Sequence, residues 1–191
     1  ALLMIFSSLS PLLINYDWSQ NELPEPDADS PQYVPTSSGN PLYDDASFDW
    51  VKKVNGTIQD SAQIPGGCLV VVGTFSSGWF GNTSLSASGS SDIFVAKMDS
   101  NGSWLWAVKA GGGRNDGLYG QIEVDANGNI YIVTEICNGG QTAASCSATF
   151  GSYSVTQPAN SEAWAVAKLS SSGTWQWAKR VSTTTAYGEY L

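Results

Sequence analysis

From position 48 onward, apolar residues come in short runs broken by Gly, Asn and Ser. Two of these runs, LVVVGTF (69–75) and IYIVTEI (130–136), have the length and β-branched content of strands. The surrounding pattern predicts a repeated order. A Trp-rich strand over 104–110 is followed by a Gly-rich loop, a strand over 121–125, a tight turn and a strand over 129–135. A longer loop ending at Phe150-Gly151 then leads to a strand over 163–169, and a turn through Ser171-Ser172-Gly173 opens the next unit at Trp175. Asp125-Ala126-Asn127-Gly128-Asn129 and Asp99-Ser100-Asn101-Gly102 read as hairpin loops, with Gly supplying the positive φ. Trp104 and Trp106 stand two apart, as do Trp175 and Trp177, so strand alternation sends each pair out of one face as a large packing surface.

The order recurs as sequence. Residues 92–109 align with 163–180 without a gap at an offset of 71, with eight of 18 positions identical, both tryptophans included. A fainter copy begins at Phe48-Asp49-Trp50-Val51-Lys52-Lys53, which adds Trp50 to the expected packing residues. Four short antiparallel strands per unit, recurring every ~55–70 residues, is the pattern of a β-propeller blade. A blade cannot bury its faces alone and packs on the next. A β-sandwich is the competing all-β architecture, but it gives no reason for a repeated sequence. The expectation is an incomplete propeller of about two and a half blades, with units near 48–103, 104–174 and 175–191. Residues 186–191 line up with 118–123, the start of a further strand.

The run DIFVAKMDSNGSWLWAVKAGGGRNDGLYGQIEVDANGNIYIVT resembles the SBBP-type β-propeller repeats of secreted and cell-surface prokaryotic proteins. Val95, Ala96, Lys97, Gly102, Trp106, Gly120, Ile122, Asp125, Gly128, Asn129 and Tyr131 sit on that family's pattern, and the resemblance covers about 48–191. It implies a propeller fold without a cofactor, but the matching positions are turn and packing residues and carry no activity. The first unit departs from the pattern, being five residues shorter between Trp50 and Val72 than between Trp106 and Val133. The middle unit carries an insertion around Cys137 to Cys146.

Charge divides the chain. Residues 1–51 hold eight acids and no Lys or Arg, whereas 52–191 hold nine acids and eight bases, so the net −9 belongs almost wholly to the first segment. Nucleic-acid binding, which needs a basic footprint, is excluded as an expectation. The apolar stretch 1–15 is too short to span a membrane as a helix. Its length fits the h-region of a secretory signal peptide whose start lies outside the sequence, with a buried strand or helix as the alternative. The nearest Cys is Cys68, so no lipobox is present. Residues 16–47, rich in Pro, Ser, Asp and Glu, read as an extended, disordered acidic linker. An acidic segment that attracts Ca²⁺ is the other reading of it.

Candidate chemistry is sparse. With no His, imidazole-based triads and zinc sites cannot be built. Cys137 and Cys146 bracket an eight-residue loop and are candidates for a disulfide in an exported protein. Cys68 reads as a buried small side chain. The 125–129 stretch looks like part of a calcium loop, but position twelve is Ile136, which cannot ligate, so a plain hairpin turn is expected. GGGRND (111–116) lacks the Lys-Ser/Thr ending of a phosphate loop; Arg114 and Asp116 are weak ligand-loop candidates at the rim. Asn55, Asn82 and Asn101 head glycosylation sequons. No pair of carboxylates stands out for glycoside hydrolysis.

These features lead to the expectation of an exported propeller-repeat protein that binds or scaffolds at the cell surface. Its partner would be a protein or glycan, with further blades in the same chain and no membrane span. The alternative is a fragment of a propeller enzyme, carboxylate-based or quinoprotein-like, with its catalytic residues in other blades. Moving from fold to function is analogy in either case.

Overall fold

The structure, a computed structural model, describes residues 2–6, 12–14, 48–137, 144–159 and 163–181. The acidic linker, the last residues of the chain and the interior of the loop between Cys137 and Cys146 lie outside them. Among the described residues there is no helix, every strand pairing is antiparallel and no sheet closes on itself. Strands β1 (Leu2–Phe6) and β2 (Leu12–Ile14) fall in the apolar stretch 1–15 and form a sheet with β3 (Phe48–Lys53) in the order β2-β1-β3.

Two meanders follow. The first unit is β4 (Gly56–Ile64), β5 (Cys68–Phe75), β8 (Asp92–Met98) and β9 (Trp104–Gly112), with the hairpin β6 (Ser77–Phe80) and β7 (Thr83–Ser86) inserted at its middle. The second is β10 (Gly120–Val124), β11 (Ile130–Ile136), β14 (Ala163–Leu169) and β15 (Trp175–Val181), with β12 (Cys146–Phe150) and β13 (Tyr153–Gln157) inserted at the same place. Both units run through four strands in sequence order, β4-β5-β8-β9 and β10-β11-β14-β15. Each Trp-rich strand therefore closes the sheet of the strands before it. The unit boundary falls between Gly112 and Gly120, not near 103–104 as the repeat alignment suggested. The expected long loop ending at Phe150-Gly151 instead holds a hairpin that turns at Gly151-Ser152.

The second hairpin does not stay with its own sheet. β12 pairs with β9 of the first unit through Ala148↔Gly112, Thr149↔Gly111 and Phe150↔Ala110. The first hairpin forms a two-stranded sheet of its own, and the Asn55 side-chain amide donates to its Ser77 carbonyl at 2.7 Å.

The apolar runs report which faces are covered. In LVVVGTF, Val70 and Val72 join a core with Ile130, Ile132, Ala165 and Ala167 of the second unit. Leu69, Val71 and Phe75 point the other way, into a core with Val54, Ile58 and Phe80. β11 and β14 alternate strictly between buried and half-buried positions, because only one of their faces meets the first unit. The edge strands β4 and β10 lie side by side, where Asp60 accepts from the Ile122 backbone N–H at 2.9 Å.

The tryptophan pairs depart from simple alternation. One step on β8, from Lys97 to Met98, matches two steps on β9, from Trp106 to Trp104. Leu105 is thus the extra residue of a bulge, 51% exposed. The bulge turns Trp104 onto Phe80 of its own hairpin, at 5.2 Å between rings, and leaves Trp106 facing the second unit. The shift recurs between Lys168 and Leu169, where Trp175 packs on Phe150 at 5.2 Å and Trp177 faces away toward Tyr131. Each pair therefore serves two faces rather than one.

The turns follow one chemistry. The Asp99 and Asp125 carboxylates each accept the backbone N–H groups two and four positions on, and the Ser170 hydroxyl accepts the one four positions on. The left-handed residue is Gly102, Gly128 or Gly173. At Gly173, with φ +81°, a Cβ would lie 2.8 Å from the Trp106 ring, so the turn also needs Gly to seat against that indole.

Candidate functional site at the junction of the two units

The polar side chains that looked chemical converge where β9 ends and β10 begins. The chain between them, 113–119, folds against the edge of the first unit. Asp116 is buried there, 1% exposed. Its oxygens accept from the Gly112 and Cys137 backbone N–H groups, both at 2.7 Å. It thereby joins the end of β9 in one unit to the end of β11 in the other. Burial pushes its carboxyl up to about 6, against the pull of those two N–H donors, and the nearby Asp92 charge pushes the same way.

Asp92 is fully buried and accepts from the Ser88 N–H at 2.8 Å and the Gly89 N–H at 3.4 Å. Lys109 approaches it at 3.9 Å while donating to the Ser86 carbonyl at 2.6 Å and the Ser88 hydroxyl at 3.0 Å. A Cβ at Gly111 would fall 2.6 Å from the Asp92 carboxylate, so the strand must carry glycine to pass it. On the other side of the seam, the bulge at Gln59 in β4 aims that side chain at the junction loop. Its amide donates to the Gly117 and Leu118 carbonyls, and its Oε1 is buried beside Gly120 with no partner among the described residues.

Cys137 and Cys146 are joined by a disulfide, Cα–Cα 6.0 Å, beside the Asp116 clamp. Cys137 has φ 63°, a left-handed conformation rare for a residue with a side chain. Cys68 is a half-buried free thiol packed beside the inter-unit core.

Asp116, one of the two rim-loop candidates, therefore has its oxygens turned into the fold. Arg114 is half-buried, with its backbone against Gly89. The carboxylate of the calcium-like stretch is likewise spent on its turn. Asp125 accepts from the Asn127 and Asn129 N–H groups, the Asn129 side-chain amide and the Tyr131 hydroxyl, and these bonds, the Asn129 amide first, hold it below the usual carboxylate range. Among the described residues no group of three or more His, Cys, Asp or Glu is placed to hold a metal. Asn55, Asn82 and Asn101 are all exposed. Trp50 lies on β3, and the other repeat tryptophans are half-buried packing residues. No helix among the described residues is long and apolar enough to cross a membrane.

Sequence reasoning passed over Asp92, Asp60 and Gln59. Asp92 had one visible mark: its repeat partner is Ala163, so it is a carboxylate where the other unit needs none. Gln59 and Asp60 act through a bulge and a seam that no local pattern announces. The exposed large apolar groups include Trp79, at 72%, on the first hairpin and Tyr119 in the junction chain itself, which stacks on Trp164 at 6.1 Å.

Comparison with known proteins finds no family model and no curated protein that matches this chain.

Proposed function

We propose that this chain is part of a β-propeller-like repeat protein, similar to the SBBP-type repeats, that is exported and works by binding or scaffolding at the cell surface. The observation that carries this reading is the use made of the carboxylates. Asp60, Asp92, Asp99, Asp116 and Asp125 each accept backbone N–H groups of a turn or of the seam between units. Groups tied to the backbone in this way hold strands and units together. The repetition of a whole meander, the second seated on the first, supports the propeller reading. The disulfide supports an oxidising compartment.

The groups left for a partner are the exposed aromatics, above all Tyr119 on its Trp164 base. Aromatic faces of this kind suit the apolar faces of sugars or of protein side chains. The test is a thermal-shift series on the full chain with soluble glycans, Ca²⁺ and a quinone. A rise with a glycan that is lost in Tyr119→Ala supports the reading. Stabilisation by quinone, or glycan cleavage, would overturn it in favour of a propeller enzyme.

A further inference from the structure

The disulfide and Asp116 close a ring of contacts around the seam. Asp116 accepts from Gly112 and from Cys137. Cys137 is bonded through sulfur to Cys146. Cys146 opens β12, and two residues on, Ala148 pairs with Gly112, which returns the ring to its start. Three of these links are hydrogen-bonded and one is covalent. The covalent one fixes the origin of the hairpin that clasps the first unit.

We propose that this disulfide is a redox-operated latch on the β12–β13 clasp. A dithiol reductant donates two electrons and two protons and is itself oxidised to a disulfide; the Cys137–Cys146 S–S bond breaks and each sulfur becomes a thiol. Three features localise the consequence. The clasp is short on the side it holds: β12 meets β9 through three residue pairs, whereas β5 and β8 meet through seven. Cys137 is held left-handed, and release of its sulfur lets the backbone relax and withdraw its N–H from Asp116. The strands beneath hold the inter-unit core through Val70, Val72, Ile130, Ile132, Ala165 and Ala167, to which the hairpin adds Ala148, Phe150 and Val155. Reduction therefore frees the hairpin and bares the β9 edge at Ala110–Gly112, an unpaired strand edge open to another chain. The latched state shields that edge.

Hydrogen exchange followed by mass spectrometry on the full chain tests this, oxidised and then treated with dithiothreitol. Protection over 110–112 and 146–157 is expected to fall by about tenfold or more, while 69–75, 93–98, 130–135 and 163–169 keep theirs. Reoxidation restores it, and the Cys137→Ser/Cys146→Ser double variant reproduces the reduced pattern without any reductant. Equal loss across all segments, meaning that the disulfide holds the whole fold, would overturn the latch. So would unchanged protection of the hairpin in both the reduced chain and the double variant.

Discussion

Asp116→Asn separates one buried charge from the rest of an acidic chain. In the folded protein the Asp116 carboxyl sits at about 6, against 3.8 for an ordinary aspartate. The folded state therefore binds a proton more tightly than the unfolded chain. Between those two values the native state holds more protons, and stability rises as pH falls. Each pH unit of difference corresponds to about 1.4 kcal/mol, so the interval amounts to ~3 kcal/mol in full and about 2 kcal/mol between pH 7 and pH 4.5. The general repulsion among carboxylates in this −9 chain also eases on acidification, so the parent's pH profile alone does not isolate the group. The amide side chain of the variant cannot titrate, while every other charge stays in place. Urea unfolding of both proteins at pH 7, 6, 5.2 and 4.5 gives the comparison. The stability of the parent relative to Asp116→Asn is expected to rise by about 2 kcal/mol from pH 7 to pH 4.5, with half of that gained near pH 5.2. A difference that is flat across this range, or that grows toward pH 7, would refute the reading of Asp116 as a carboxylate whose charge is opposed by burial.

Gly173→Ala places a Cβ 2.8 Å from the Trp106 ring at φ +81°, and the expected cost is about 1–3 kcal/mol with a change in tryptophan emission, read by denaturant titration. Phe150 is fully buried against Trp175, so Phe150→Ala is expected to cost about 3–5 kcal/mol, and Phe80→Ala a similar amount, since each holds its hairpin to its own Trp strand. Asp125→Ala removes the acceptor of four hydrogen bonds and lowers the melting midpoint at neutral pH. The Asp125 carboxyl is held below its ordinary value, so that contribution is complete above an aspartate's usual range and lost as pH falls through the lower folded value; the gap between Asp125→Ala and parent should close in strong acid.

Much of the strand pattern was legible because it rests on local chemistry. The 163–169 strand has its expected bounds, and the Asp- and Ser-opened turns form with Gly at the left-handed position. The second hairpin was read as loop because CSATF and YSVTQ alternate small polar residues with few apolar ones. Its apolar set, Ala148, Phe150 and Val155, is enough only because it closes on an existing core. The faces of the tryptophans were misread because a bulge leaves no compositional mark: Leu105 and Gln176 differ in every respect except that each is the extra residue. The candidate site was half visible. Cys137, Cys146 and Asp116 stood out as residue types, but their convergence depends on pairing between β12 and β9, a strand far back in the chain.

The bulge explains why the repeat looked displaced from the sheets. Without it, both indoles of a Trp strand would face one neighbour, and that strand could as well open a unit as close one. With it, Trp104 is committed to the hairpin of its own unit and Trp106 to the next, where the Trp106 indole N–H donates to the Ser171 carbonyl at 3.3 Å and the Lys97 ammonium to the same oxygen at 3.4 Å. On the first unit the second indole of the Trp-x-Trp string thus lies on the side that receives the second unit. On the second unit the matching pair is Lys168 and Trp177, directly opposite each other on β14 and β15, as Lys97 and Trp106 are on β8 and β9. There Lys168 lies 5.0 Å over the Tyr131 ring, and Trp177 stands 6.2 Å from it. On the propeller reading, a following unit would draw Lys168 off that ring and onto a turn carbonyl. On that reading, what recurs in this sequence is a rule for attachment, and it speaks of neighbours rather than of a reaction.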